Sequence, residues 1–134
     1  MRTRLLVILV YMLELLVTAG PAHAQASPDW LLVEIGIVGP ASEDILNSAL
    51  EQAVQTDKAG LIVQLDTPGG ALETTRSMVK SILGSPIPIA VWVGPSGARA
   101  GSAGAFITLA ANFAYMAPGT NIGAAHPVGV GKNR

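Results

Sequence analysis

The 134-residue chain contains no cysteine. That excludes a disulfide framework, a thiolate nucleophile and any cysteine-bound metal. Aromatic residues make up 4% and charged residues 13%, the formal net charge is −1, and like charges never gather in a long run. Nothing therefore resembles a nucleic-acid footprint, which needs a basic patch or stripe. No His, Asp or Glu spacing suggests a metal site, and no cofactor is expected. Internal repeats and low-complexity tracts are absent too. The apolar run Leu5 to Val17 is too short for a comfortable membrane span, and Glu14 interrupts it. What is abundant is apolar material: half the residues are hydrophobic, enough for the core of one domain.

Residues 1–24 read as a targeting segment. Arg2 and Arg4 form a positive start, the apolar run follows, and Ala22-His23-Ala24 is a small-x-small cleavage site just after Gly20-Pro21. The expectation is a cleaved secretory signal and an exported protein. The mature part keeps six basic and eight acidic residues, net −2. Gln25 to Asp29 is a short polar linker, and residues 30–134 are the domain.

Trp30 to Val38 alternates around Val33, Ile35 and Ile37 and predicts a strand. Ser42 is expected to cap a helix with Glu43 and Asp44 in its first turn. Ile45, Leu46, Ala49, Leu50, Ala53 and Val54 mark the apolar face of that helix. Leu61 to Leu65 is a short buried strand, and Asp66-Thr67-Pro68-Gly69-Gly70 is a turn. Ala71 to Leu83 predicts a second helix with Leu72, Met78, Val79, Ile82 and Leu83 inward. A strand ends at Val93, and Phe113 to Met116 is another. Strands alternating with helices imply an α/β domain with a mainly parallel sheet and right-handed crossovers.

The stretch Val91 to Ile107 holds the chemistry. A buried strand breaks at Gly94-Pro95-Ser96-Gly97, and small residues then run into an apolar helix. Ser102 falls where loop becomes helix. Amides there are unpaired and the helix dipole favours negative charge. Small neighbours let another backbone approach. The arrangement has the logic of a nucleophile elbow without the Gly-x-Ser-x-Gly string. The plainer reading makes Ser102 only a helix cap. The Gly-Gly pair after the Leu61–Leu65 strand could present backbone amides to the same place, since open α/β sheets bind ligands at that end. Ser96 is a rival nucleophile, though in a Pro-Ser-Gly turn a serine usually bonds backbone. Asp66, at a strand end before Thr-Pro, reads as a turn residue rather than a catalytic acid.

Leu65-Asp66-Thr67-Pro68-Gly69-Gly70, Gly97-Ala98-Arg99-Ala100-Gly101-Ser102-Ala103-Gly104 and Met116-Ala117-Pro118-Gly119-Thr120-Asn121-Ile122-Gly123-Ala124-Ala125-His126-Pro127 together resemble the NfeD family. These are membrane-bound, ClpP-class serine proteases whose partner is a stomatin-like protein. The resemblance implies the ClpP/crotonase fold, with its C-terminal elements beyond this chain. It implies Ser102 as nucleophile and the amides of Gly70 and Ala103 as the oxyanion hole. Its general base is a lysine further downstream than Arg134. Lys132 matches a variable loop and reads as a solvated terminal lysine. His126 falls near the place of the catalytic histidine of soluble ClpP peptidases, so it is either a base or a substrate-groove residue. Arg99 is a loop charge that helps fix the nucleophile loop. The expected substrates are apolar segments of stomatin-like membrane proteins, held by addition to a strand edge. Membrane association would come through a missing C-terminal region, and a homo-oligomer is compatible with the family.

The chain is thus expected to be a fragment of a longer exported serine endopeptidase. Two alternatives stand beside that reading. One is a protease-like scaffold that binds a membrane partner without cleaving it. The other is a crotonase-type enzyme acting on a thioester, a poor match for an exported protein.

Overall fold

A computed structural model describes residues 28–125. The elements are β1 (Trp30–Ile35), α1 (Pro40–Gln55), β2 (Gly60–Leu65), α2 (Leu72–Leu83), β3 (Ile89–Val93), β4 (Arg99–Gly101), α3 (Ala103–Ala110), β5 (Phe113–Met116) and β6 (Asn121–Gly123). The main sheet has the order β1-β2-β3-β5, every pair parallel. A second, two-stranded parallel sheet joins β4 to β6.

The strand residues divide by parity, as the period of two requires. Ile35, Leu61, Val63, Leu65, Ile89, Val91 and Val93 face the helices and are buried. α1 packs on β1 and β2, α3 on β3, and α2 lies between α1 and α3. Leu46, Met78, Ile82 and Ile107 close the core from the helix side. Each such side chain removed from water contributes about 1.5–3 kcal/mol. The other sheet face carries the cross-strand rows Leu32, Ile62, Ala90, Phe113 and Glu34, Gln64, Trp92, Tyr115. A shallow concavity of about 400 Å³ lies on it, lined by Pro28, Trp30, Ile62, Ala90, Phe113 and Tyr115.

Several local expectations are corrected. β1 stops at Ile35, not Val38. Ile37 is 74% exposed, and Val38 is buried instead in an isolated parallel bridge to Gly70. α1 starts at Pro40 with Gly39 as its cap, so Ser42 sits in the first turn rather than at the cap. Pro40 explains the shift, because a proline at the first helical position needs no amide partner. Ser42 Oγ still serves that end: it accepts the Gly39 N–H at 2.9 Å. The buried stripe of α1 is Ser42, Leu46, Ala49 and Ala53, with Ile45 and Val54 exposed on its flanks. In α2 the inward residues are Thr74, Thr75, Met78 and Ile82, whereas Leu72 and Leu83 are exposed. Thr75 is accommodated because its hydroxyl donates to the Ala71 carbonyl at 2.8 Å. Asp29, read as linker, is tied down by an ion pair with Lys58. No helix among the described residues is long and apolar enough to cross a membrane.

Candidate active site

The Leu61–Leu65 strand keeps its alternation past its own end. Leu65, Thr67 and Gly69 are buried, while Asp66, Pro68 and Gly70 are exposed. The turn is held on one side by Val38. The Val38 N–H donates to the Gly69 carbonyl at 3.0 Å, and the Val38 carbonyl accepts the Ala71 N–H at 2.9 Å. In a parallel bridge of this kind the straddled residue points its own N–H and C=O the other way. The straddled residue is Gly70, and its amide is therefore turned away from Val38. A side chain is impossible there without movement: a β-carbon on Gly70 would meet the Val38 oxygen at 1.8 Å.

On its other side the turn is held by β4. The Thr67 N–H donates to the Arg99 carbonyl at 2.7 Å and the Gly101 N–H to the Thr67 carbonyl at 2.9 Å. Asp66 Oδ1 accepts the Arg99 N–H at 3.0 Å, so Asp66 orders this junction through backbone. β4 is in turn paired with β6, and the Ser102 N–H donates to the Gly123 carbonyl at 2.8 Å. Ser102 is thus fixed from two directions at the point where β4 gives way to α3.

Its backbone is unusual. Ser102 has φ +47° and ψ −105°, a left-handed conformation costing a non-glycine residue about 1–3 kcal/mol. It occupies the cap position of α3, yet its hydroxyl makes no capping hydrogen bond. The hydroxyl is therefore not spent on closing the helix end. The Ser102 carbonyl accepts the Ala105 N–H at 3.0 Å, while Ala103 opens the helix, where amides have no intrahelical partner. Ser102 is half-buried and Ala103 is buried.

Gly69 lies directly against the serine. A β-carbon on Gly69 would stand 2.9 Å from Ser102 Cβ and 3.4 Å from its Oγ, and Gly69 has φ +123°. The structure therefore brings Ser102, Ala103 and the Gly69-Gly70 turn together. Ser96 is elsewhere employed, its hydroxyl donating to the Pro118 carbonyl at 2.6 Å on an exposed loop. His126 and Lys132 lie outside the described residues. Among the described residues no group of three or more His, Asp or Glu could hold a metal ion.

Two residues escaped the sequence reading. The sequence presents Gly69 and Gly70 as one pair, although an added β-carbon would meet the serine at Gly69 and Val38 at Gly70. The sequence presents Thr67 as part of a turn, although it is fully buried. The signal for both was present: the inward parity of Leu61, Val63 and Leu65 continues through positions 67 and 69.

Residues 36–133 match the family described as NfeD1b, N-terminal domain. The chain is 35% identical over 121 residues, 90% of its length, to membrane-bound protease PH1510 of Pyrococcus horikoshii, of which it covers 27%. It is 32% identical over 116 residues, 87% of its length, to membrane protein NfeD1b of Bacillus subtilis, of which it covers 26%. The chain spans about a quarter of the length of these curated relatives. Among solved structures it resembles a serine-to-alanine mutant of the 1510-N membrane-bound stomatin-specific protease, with TM-score 0.76, 34% identity, and 81% of this chain and 53% of that chain covered. A lysine-to-alanine mutant of the same protease, in complex with a substrate peptide, gives TM-score 0.74 at 35% identity, covering 77% of this chain and 48% of that one. A ClpP1 mutant from Listeria monocytogenes, with 71% of this chain and 56% of that chain covered, matches at TM-score 0.58 and 19% identity, a likeness of fold alone. The α/β fold with its mainly parallel sheet is thus ClpP-like, as the sequence implied.

Proposed function

The chain belongs to the NfeD family, as its N-terminal domain, and on that premise we propose that it is the peptidase part of an exported, membrane-associated serine endopeptidase. Ser102 attacks a peptide carbonyl. The oxyanion that forms is received by the exposed Gly70 amide and by the Ala103 amide at the start of α3. A serine needs a base to take its proton. That base is a lysine lying beyond Arg134 in the longer protein. The substrates are apolar segments of a stomatin-like protein bound in extended form. Residues 1–24 act as a signal peptide that places the domain outside the cytoplasm, and later segments hold it at the membrane.

One observation carries this reading: the strained Ser102, its hydroxyl not used as a cap, lies against the Gly69-Gly70 turn beneath a helix N-terminus. Preorganised amides at such a place stabilise charge as it develops and need no rearrangement during reaction. The comparisons support the chemistry by analogy. PH1510 is called a protease, and the related 1510-N enzyme is called stomatin-specific. Solved structures of that enzyme include a serine mutant and a lysine mutant, the latter with a substrate peptide.

The test is covalent labelling of the full-length protein in its own membrane with a fluorophosphonate. The reading predicts one labelled residue, Ser102, identified by mass spectrometry of the digest. Labelling at Ser96, or none at all while control serine hydrolases label, would overturn it.

A further inference from the structure

Thr67 is a buried polar residue that takes no part in the proposed bond-making, yet it joins the turn, β4 and α3. Its hydroxyl is engaged with a single residue: the Gly69 N–H donates to Thr67 Oγ1 at 3.0 Å, and the hydroxyl donates back to the Gly69 carbonyl at 3.1 Å. Its backbone holds both ends of β4, through the Arg99 carbonyl and the Gly101 N–H. Its methyl group packs under α3, where a β-carbon on Gly104 would come within 2.6 Å of Thr67 Cγ2. Turn, strand and helix therefore meet on one residue that is 0% exposed, the strand through its backbone and the turn and helix through its side chain.

The hydroxyl does something that packing does not. Two successive glycine amides could serve an oxyanion from this turn. Thr67 Oγ1 takes up the Gly69 amide, and Val38 fixes the direction in which Gly70 points. Among the described residues nothing takes up the Gly70 amide, which is left to face outward. The geometry points to Thr67 as a positioning residue: its hydroxyl selects Gly70 as the turn's donor and sets the distance between that amide and Ser102. This inference rests on the proposed role of Ser102 and of the Gly70 amide.

The two parts of the side chain can be separated. Thr67→Val keeps the shape and removes the hydroxyl. Thr67→Ser keeps the hydroxyl and removes the methyl. The experiment uses full-length protein in detergent, an apolar fluorogenic peptide, and fluorophosphonate titration to count competent sites. For Thr67→Val, kcat per titrated site is expected to fall about 100-fold, the scale of a small misplacement of catalytic groups, with KM little changed. Thr67→Ser is expected to restore most of kcat. If Thr67→Val loses only titratable sites while kcat per site stays at the wild-type level, the role is structural and the inference is wrong. Equal loss in Thr67→Val and Thr67→Ser would also overturn it. Failure of the underlying reading looks different, because the wild-type protein would then show no peptide cleavage that Ser102→Ala removes.

Discussion

Gly69 and Ser102 are in contact across the site: no side chain can be added to Gly69 without its β-carbon reaching 2.9 Å from the β-carbon of Ser102. The two residues come from different strand ends, β2 and β4, which are joined through the Thr67–Ala100 bridge. On the proposed reading, a contact this close between two loops sets where a substrate carbonyl would sit. It also makes the turn and the serine sensitive to the same substitutions.

Gly69→Ala is the sharpest probe of that contact. The left-handed φ of +123° and the short approach act together. The change is expected to destabilise the domain by about 1–3 kcal/mol through backbone strain. Displacement of the serine should lower kcat about 100-fold. Thermal unfolding and peptide cleavage of the full-length variant check the two effects separately.

Gly70→Ala acts on the opposite side of the turn. The new methyl would fall 1.8 Å from the Val38 oxygen, which already accepts the Ala71 N–H. The turn has to leave Val38, so a loss of about 1–3 kcal/mol is expected, of the size seen for overpacking. The proposed donor moves with it, and cleavage should fall together with stability. A variant as stable and as active as wild type would show that the turn has another resting place.

Ser96→Ala separates the two serines. Among the described residues, Ser96 Oγ bonds only the Pro118 carbonyl, on the surface. Its loss should cost no more than about 1 kcal/mol, and kcat should not change. Unchanged cleavage is the expected readout.

Leu46→Ala tests the core that supports the site from a distance. Leu46 is 0% exposed and packs between α1 and the sheet. A loss of about 2–5 kcal/mol is expected from the removed contacts and the cavity left behind. Because Leu46 lies on α1, an element that supplies none of the proposed site residues, the folded fraction should keep its kcat per labelled Ser102.

Much of this architecture was legible in the sequence because long-range burial and local pattern agree. Leu61 to Leu65 and Ile89 to Val93 are apolar runs bounded by turns, and both are core strands. Ser102 stood out because small residues surround it. The three-residue strands β4 and β6 carry no such pattern. Arg99–Gly101 and Asn121–Gly123 are strands only because each has the other beside it, which no local propensity reports. The same holds for Val38. Its neighbour Ile37 is equally apolar, and a tertiary bridge to Gly70, not alternation, decides which is buried. The exposed Leu72 and Leu83 show the limit of reading helix faces by hydrophobicity, since two threonines take the inward places.

The most direct measurement is the steady-state cleavage of an apolar stomatin-like segment by full-length protein, wild type against Ser102→Ala. Removing a catalytic serine typically lowers kcat by many orders of magnitude, and a fall of at least about 1000-fold is expected here with the fold intact by circular dichroism. Cleavage by Ser102→Ala at the wild-type rate would contradict the account, because the strained serine against Gly69 would then have no part in the chemistry.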